Sequence, residues 1–107
     1  MHIQINTDSN IEGTEALAAH VKGVVESALR RFGDRITRAE VHLSDQNGDK
    51  SGQDDKRCMM EVRLERRPPT TVTHQAATLD DAIGGAADKL KRSLESTLGR
   101  LNDDRRT

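Results

Sequence analysis

The sequence predicts an α+β protein, a two-layer sandwich in which two helices cover one face of a four-stranded mixed sheet. Four short segments alternate apolar and polar side chains, as strands with one buried face do. Two longer segments repeat apolar residues with the helical period. The elements follow one another as β-α-β-β-β-α. Their apolar faces are buried together if both helices pack on the same side of the sheet.

The strands are predicted from period-two alternation and from β-branched residues. They span residues 2–6, 38–44, 57–65 and 71–77. The third is the clearest, because Cys58, Met60 and Val62 share one face. Pro68 and Pro69 follow it and predict a turn or a sheet edge, since proline cannot donate to a β-ladder. A helix between the first two strands predicts that these run parallel, and the others form an antiparallel meander.

The first helix is predicted at residues 14–32, with Thr14 as its N-cap and Gly33 as a left-handed residue that ends it. The second is predicted at about 79–102, with Thr78 as its cap. Their apolar stripes comprise Leu17, Val21, Val24, Val25, Ala28 and Phe32 in the first, and Leu79, Ile83, Ala86, Leu90, Leu94, Thr97 and Leu101 in the second. We therefore expect one domain at residues 1–102 and a frayed C-terminal tail at residues 103–107.

The composition predicts a small cytoplasmic protein with a thin aliphatic core. The chain has 107 residues, of which 33% are hydrophobic and 33% charged, with one Phe and neither Trp nor Tyr. Cys58 is the single cysteine, so an internal disulfide is excluded and a reducing compartment is favoured. The N-terminus lacks the features of a signal peptide, and no apolar run approaches the ~20 residues that span a bilayer.

No motif indicates catalysis, a cofactor or a metal. The histidines (His2, His20, His42 and His74) are not spaced as metal ligands, and no nucleophile elbow or phosphate-binding loop occurs. Residues 45–56 contain four Asp but lack the ligand spacing of a calcium loop, so we expect a flexible loop. Cys58 and His74 are expected on the core face, where a thiol is inert and a histidine packs.

The charges of both helices are sorted by side, although the net charge is only −1. On the second helix one flank carries Lys89, Arg92, Ser96 and Arg100, and the other carries Asp80, Asp81, Asp88 and Glu95, with Lys91 among them. On the first helix His20, Ser27, Arg30 and Arg31 take the equivalent side, and Glu15, Lys22 and Glu26 the opposite one. This predicts a shared basic edge suited to phosphates. The alternative is a solvated, salt-bridged surface, since Glu26 and Arg30 form a favourable i,i+4 pair.

The chain resembles the ribosome hibernation-promoting factor family, which includes the RaiA-type ribosome-associated translation inhibitors. The resemblance spans residues 1–101 and is carried by "EALAAHVKGVVESALRRF", "ITRAEVHLS" and "TLDDAIGGAADKLKRSL". The last is similar to the family's pattern around an Ala-Ile pair and a DKL-x-R-x-L run, through Ala82, Ile83, Lys89 and Arg92.

This resemblance implies a fold similar to a double-stranded RNA-binding domain. It also implies a non-enzymatic protein that binds the small ribosomal subunit near the decoding region. Such a factor occludes the mRNA and tRNA sites and preserves idle ribosomes under stress or in stationary phase. Its partners are rRNA and possibly ribosomal proteins, with neither membrane nor small-molecule substrate. The expected RNA-binding residues are Arg30, Arg31, Lys89, Arg92 and Arg100, with Lys22 and Lys91 added. Long family members carry a C-terminal dimerisation domain, which is absent from these residues.

A second interpretation is a divergent protein-interaction module that has the same fold and has lost RNA binding. The near-neutral charge and the acidic segment 45–56 favour it. So do the uncharged Val24 and Ser27, which stand where the family usually carries basic residues, and Glu95 near the end of the second helix. Each lost phosphate contact weakens electrostatic affinity.

Overall fold

The computed structural model describes residues 2–46 and 55–106, with side chains described as far as Gly99. Its elements are β1 (His2–Thr7), α1 (Glu15–Leu29), a 3-10 helix (Arg30–Arg35), β2 (Ile36–Asp45), β3 (Lys56–Leu64), β4 (Thr70–Ala76) and α2 (Leu79–Arg106). The predicted α+β class and element order are confirmed. Residues 47–54, most of the predicted flexible loop, lie outside the described residues.

The four strands form one sheet in the order β1-β2-β3-β4. β1 runs parallel to β2, with Ile3 opposite Ala39 and Ile5 opposite Val41. β2 and β3 pair antiparallel, as do β3 and β4. The predicted parallel pair and antiparallel meander are therefore both present. β1 and β4 are the two edges of the sheet.

The hydrophobic core lies between the helices and one face of the sheet. The buried strand residues Ala39, Val41, Leu43, Cys58, Met60, Val62 and Leu64 meet the helix residues Val21, Val25, Leu29, Ile83, Leu90 and Leu94. α2 packs on β3 and β4, and α1 packs beside α2 and against β1. Burying each large aliphatic side chain contributes about 1.5–3 kcal/mol, which compensates for the shortage of aromatic residues.

The ends of α1 confirm one prediction and correct another. The Thr14 side chain accepts a hydrogen bond from the Leu17 N–H at 3.0 Å, so Thr14 is the N-cap. Gly33 does not end the helix in a left-handed conformation. The α-helix ends at Leu29, and the chain tightens into the 3-10 helix, which keeps Phe32 buried before Ile36 starts β2.

α2 begins as predicted, since the Thr78 hydroxyl accepts a hydrogen bond from the Asp81 N–H at 3.1 Å. It extends to Arg106, beyond the predicted end at 102, and the frayed tail stays a prediction. Gly85 lets α2 lie close to β4, because a Cβ at this position would come within 2.1 Å of the His74 ring. The half-buried His74 therefore packs against the helix backbone, in keeping with its predicted place on the core face.

Candidate nucleic-acid interface

The groove between α1 and α2 brings basic residues of one segment against acidic residues of the other. An Arg31 guanidinium nitrogen lies 3.4 Å from a Glu95 carboxylate oxygen, and His20 Nε2 lies 3.1 Å from Asp80 Oδ1. The basic flank of the first helical region thus faces the acidic flank of α2. The helical wheels predict that the two basic flanks meet in a shared edge, and they do not. The helices pack with the basic flank of the first against the acidic flank of the second, so the basic flank of α2 lies on its far side.

On α2 the two central cations have different surroundings. The Arg92 guanidinium pairs with Asp88, one turn earlier on the same helix. Lys89 Nζ donates to the Thr73 carbonyl oxygen at 3.0 Å, so this side chain reaches the outer edge of β4. Lys89 and Glu95 therefore lie on opposite flanks of α2.

The ion pairs of Arg31 and Arg92 are exchangeable. Their side chains are 73% and 72% exposed, and an exposed pair of this kind contributes only about 0.2–1 kcal/mol. A phosphate can replace each carboxylate, because guanidinium binds both anions through the same planar pair of N–H groups. Arg31 also lies over the Phe32 ring, with 5.9 Å between the guanidinium carbon and the ring centroid.

The remaining predicted contact residues are dispersed. Arg30, Lys22 and Lys91 are exposed, and none of them forms an ion pair within the described side chains. Lys22 follows His20 by two positions and so lies away from the flank that faces α2. Arg100 lies in α2, and its side chain is outside the described residues.

A denser group of cations lies at one end of the sheet and was missed from the sequence. We call it the arginine end and define it as residues 30–35 together with residues 63–67. The Glu65 N–H donates to the Arg35 carbonyl at 3.0 Å, which joins the two segments. They carry Arg30, Arg31, Arg35, Arg63, Arg66 and Arg67. The repeated "RR" in both segments was a visible signal, but only the β2–β3 pairing brings the segments together.

A groove of about 350 Å³ opens beside the arginine end. It is lined by Arg31, Phe32, Arg35, Glu95, Leu98 and Gly99. Two guanidinium groups and one carboxylate therefore accompany an apolar wall. The groove is polar enough to admit an anionic group, and Glu95 is the acidic residue that competes for Arg31.

The opposite end of the sheet is acidic, and we define the acidic end as Asp8, Asp45, Asp55, Asp80 and Asp81. Lys56 Nζ lies 3.0 Å from Asp45 Oδ2 and 3.4 Å from Asp55 Oδ2, and both aspartates are buried. The hydrogen bond to Asp45 is the main cause that raises the pKa of Lys56. Asp8 Oδ2 accepts the Asp45 N–H at 3.0 Å. This network closes the base of the β2–β3 connection.

The described residues offer little for other chemistry. They contain no group of three or more His, Cys, Asp and Glu side chains that could hold a metal ion. Cys58 is buried as predicted, and burial raises the pKa of its thiol to about 12, which suppresses the reactive thiolate. Neither described helix is long and apolar enough to cross a membrane.

Comparison with known proteins finds a family model and solved structures that match most of the chain. A family model described as "Sigma 54 modulation protein / S30EA ribosomal protein" matches residues 3–102. No curated protein sequence gives a significant match. The structure is similar to the N-terminal domain of Protein Y from Thermus thermophilus, with a TM-score of 0.73, 26% identity, and coverage of 91% of this chain and 99% of that one.

A second solved structure has the same fold. It is a ribosomal subunit interface protein from Coxiella burnetii, with a TM-score of 0.69, 17% identity, and coverage of 92% of this chain and 99% of that one. Both neighbours are matched over nearly their whole length, which confirms the predicted fold. The match of the family model confirms the predicted family resemblance.

Proposed function

The chain belongs to the Sigma 54 modulation protein / S30EA ribosomal protein family, and from this we propose that it is a ribosome hibernation factor. It binds the small ribosomal subunit near the decoding region and occludes the mRNA and tRNA sites. Translation stops by steric exclusion, without a chemical step, and idle ribosomes are preserved under stress or in stationary phase. Association with ribosomes also supports a cytoplasmic location.

The observation that carries this proposal is the family match over residues 3–102, which takes in α1, most of α2 and nearly all of the four strands. Members of this family bind the ribosome. The Thermus thermophilus domain supports the proposal further, because its similarity extends over 91% of this chain at 26% identity.

The proposed contacts to rRNA run through cations on both helical regions. On the first region these are Arg30 and Arg31, with Lys22 as an additional contact. On α2 they are Lys89 and Arg92, with Lys91 and Arg100 added. The high exposure of Arg31 and Arg92 supports this assignment, because phosphates can reach both guanidinium groups without unfolding any element.

Co-sedimentation with purified small subunits tests the proposal. The variant Lys89→Gln with Arg92→Gln lowers the net charge by two, and we expect its binding at moderate salt to fall at least tenfold. The slope of log affinity against log salt should become shallower by about 1.4–1.8, because each lost phosphate contact removes roughly 0.7–0.9. Arg57→Glu is the matched control, since it makes the same charge change on the uncovered face of β3. Equal losses in both variants, or none in either, would contradict the assignment of Lys89 and Arg92.

The same titration addresses the protein-interaction alternative. Binding held by phosphates weakens steeply as salt increases, whereas binding held by apolar and hydrogen-bonded protein contacts persists. A complex with small subunits that is indifferent to salt would therefore favour an interaction module that contacts ribosomal proteins.

A further inference from the structure

The arginine end is a compact basic surface on a nearly neutral protein. Its two segments hold six of the 17 basic residues of the chain and only two acidic residues, Asp34 and Glu65. The hydrogen bond from Glu65 to Arg35 and the pairing of Ile36 with Leu64 fix the segments side by side. The sheet topology therefore adds Arg35, Arg63, Arg66 and Arg67 to Arg30 and Arg31, which the helix flank already supplies.

The guanidinium groups of this surface are mostly available. Among the described side chains, only Arg31 of the six forms an ion pair, with Glu95. Arg30, Arg35, Arg63, Arg66 and Arg67 are exposed, and no carboxylate of the described side chains lies within salt-bridge distance of them. Within this part of the chain, a carboxylate therefore pairs with Arg31 alone of the six arginines.

The turn between β3 and β4 has an arginine at a position whose backbone conformation glycine or asparagine adopts more easily. Arg66 has a φ of 62°, in the left-handed region that glycine and asparagine adopt most easily. An ordinary L-residue in this region costs roughly 1–2 kcal/mol. Pro68 and Pro69 follow and stiffen the turn. Strained backbone is concentrated at binding and catalytic sites, so the conformation of Arg66 supports a binding role for Arg66 and its neighbour Arg67.

The chemistry of the surface fits phosphates better than a protein partner. Protein interfaces are centred on exposed apolar and aromatic residues. Here the apolar residues of the region, Phe32, Ile36 and Leu64, are all buried at 5–6% exposure. Every cation is an arginine, the residue whose planar fork matches a phosphate in two hydrogen bonds.

We propose that the arginine end is a second phosphate-binding surface, which grips a segment of RNA backbone separate from the segment bound by the cations of α2. This rests on the proposed function as a ribosome-binding factor. The predicted helix contacts alone lie on different flanks, since Lys89 reaches the β4 edge while Arg31 faces α2. A second surface at the end of the sheet lets a protein of net charge −1 hold a polyanion from two sides.

Substitutions in the turn test this inference without disturbing the core. Arg66→Gly removes a cation and also relieves the left-handed backbone, so we expect Tm to stay unchanged or rise. Arg67→Ser removes a neighbouring cation. The two together should weaken binding to small subunits about tenfold near physiological salt and make the salt slope shallower by about 1.4–1.8. Arg57→Glu makes the same charge change of two on the uncovered sheet face, so it is the control and should change affinity little.

A second probe separates this inference from the proposed function. Binding of each variant to a naked RNA duplex of 20 base pairs is measured beside binding to small subunits. If the turn variants match the wild type on both probes while Lys89→Gln with Arg92→Gln loses affinity, the arginine end is not a phosphate site and the proposed function stands. If wild type does not bind subunits, the proposed function fails, and the duplex alone decides whether the turn arginines bind phosphates. A loss on subunits that is independent of salt would indicate uncharged protein contacts in place of phosphates and overturn the inference.

Discussion

The charged side chains at the two ends of the sheet differ in their exposure to solvent. At the acidic end Lys56 lies between two aspartates whose side chains are only 8% and 3% exposed. At the arginine end, Arg31 and Glu95 form an ion pair whose side chains are 73% and 38% exposed. A cation that pairs with buried carboxylates stabilises one arrangement of the chain, because its removal leaves their charge in a medium of low polarity. Exposed charges can exchange their partners for those of another molecule. This difference in exposure indicates a structural network at the acidic end and a binding surface at the arginine end.

The largest effect is expected at the acidic end. Lys56→Met leaves two buried carboxylates without their shared cation, so Tm should fall by roughly 10 °C or more. Arg31→Met removes a cation from an exposed pair and should lower Tm by less than about 4 °C. Thermal unfolding followed by circular dichroism measures both. Equal decreases in Tm for the two variants would show that the exposure of an ion pair does not determine its contribution to stability here.

Alkaline pH should weaken the structure while leaving the arginine end charged. Burial raises the pKa of the Cys58 thiol from 9.0 to about 12, so the unfolded chain loses this proton first. The free energy of unfolding should therefore fall by about 1.4 kcal/mol per pH unit above pH 9.0. The pKa of Lys56 is raised above 10.5 by its hydrogen bond to Asp45, so its stabilising contribution is complete below pH 10.5 and is lost as pH rises past the folded pKa. Guanidinium groups keep their charge throughout.

Urea unfolding at several pH values between 8 and 11 measures these slopes. Cys58→Ala should flatten the decline that begins near pH 9.0, because the buried thiol that causes it is then removed. Lys56→Met should remove the additional decline above pH 10.5. A profile that is the same in wild type and in both variants would mean that neither group changes its proton affinity on folding.

The smallest effect is expected from releasing an arginine from its internal carboxylate. Glu95→Gln keeps the size of the side chain and frees Arg31, so affinity for small subunits should rise roughly twofold to fivefold at low salt. Glu61→Gln makes the same charge change on the uncovered sheet face and serves as control. Filter binding at two salt concentrations measures both, and an affinity that falls in Glu95→Gln would mean that the pair orients Arg31 for binding.

The elements of this fold could be predicted because their signals are local. Alternation in β3 and the helical stripe of α2 each lie within one segment of chain, and Thr14 caps a helix through a contact three residues away. Gly33 was misassigned because burial of Phe32 outweighs the usual preference of glycine for a helix end. The failure at Gly33 is thus one of tertiary packing.

The candidate site could be predicted only in part, because surfaces depend on which elements become neighbours. A helical wheel sorts Lys89 from Glu95 correctly, yet it does not say which flank of α2 faces α1. Arg35 and Arg66 are far apart in the chain, and they become neighbours only through the register of β2 with β3. The family resemblance supplied the expected function, and the arginine end emerged only from the folded arrangement.

The hydrogen bond from Lys89 to Thr73 has a consequence for how copies of the protein meet. β4 is an edge strand, and the unpaired carbonyl groups of an edge strand can accept hydrogen bonds from a strand of another chain. The Lys89 ammonium occupies one of those acceptors and places a positive charge along the rim. If two molecules met through their β4 edges, their Lys89 ammonium groups would repel each other. Lys89 therefore disfavours self-association through β4, in addition to its proposed contact with RNA.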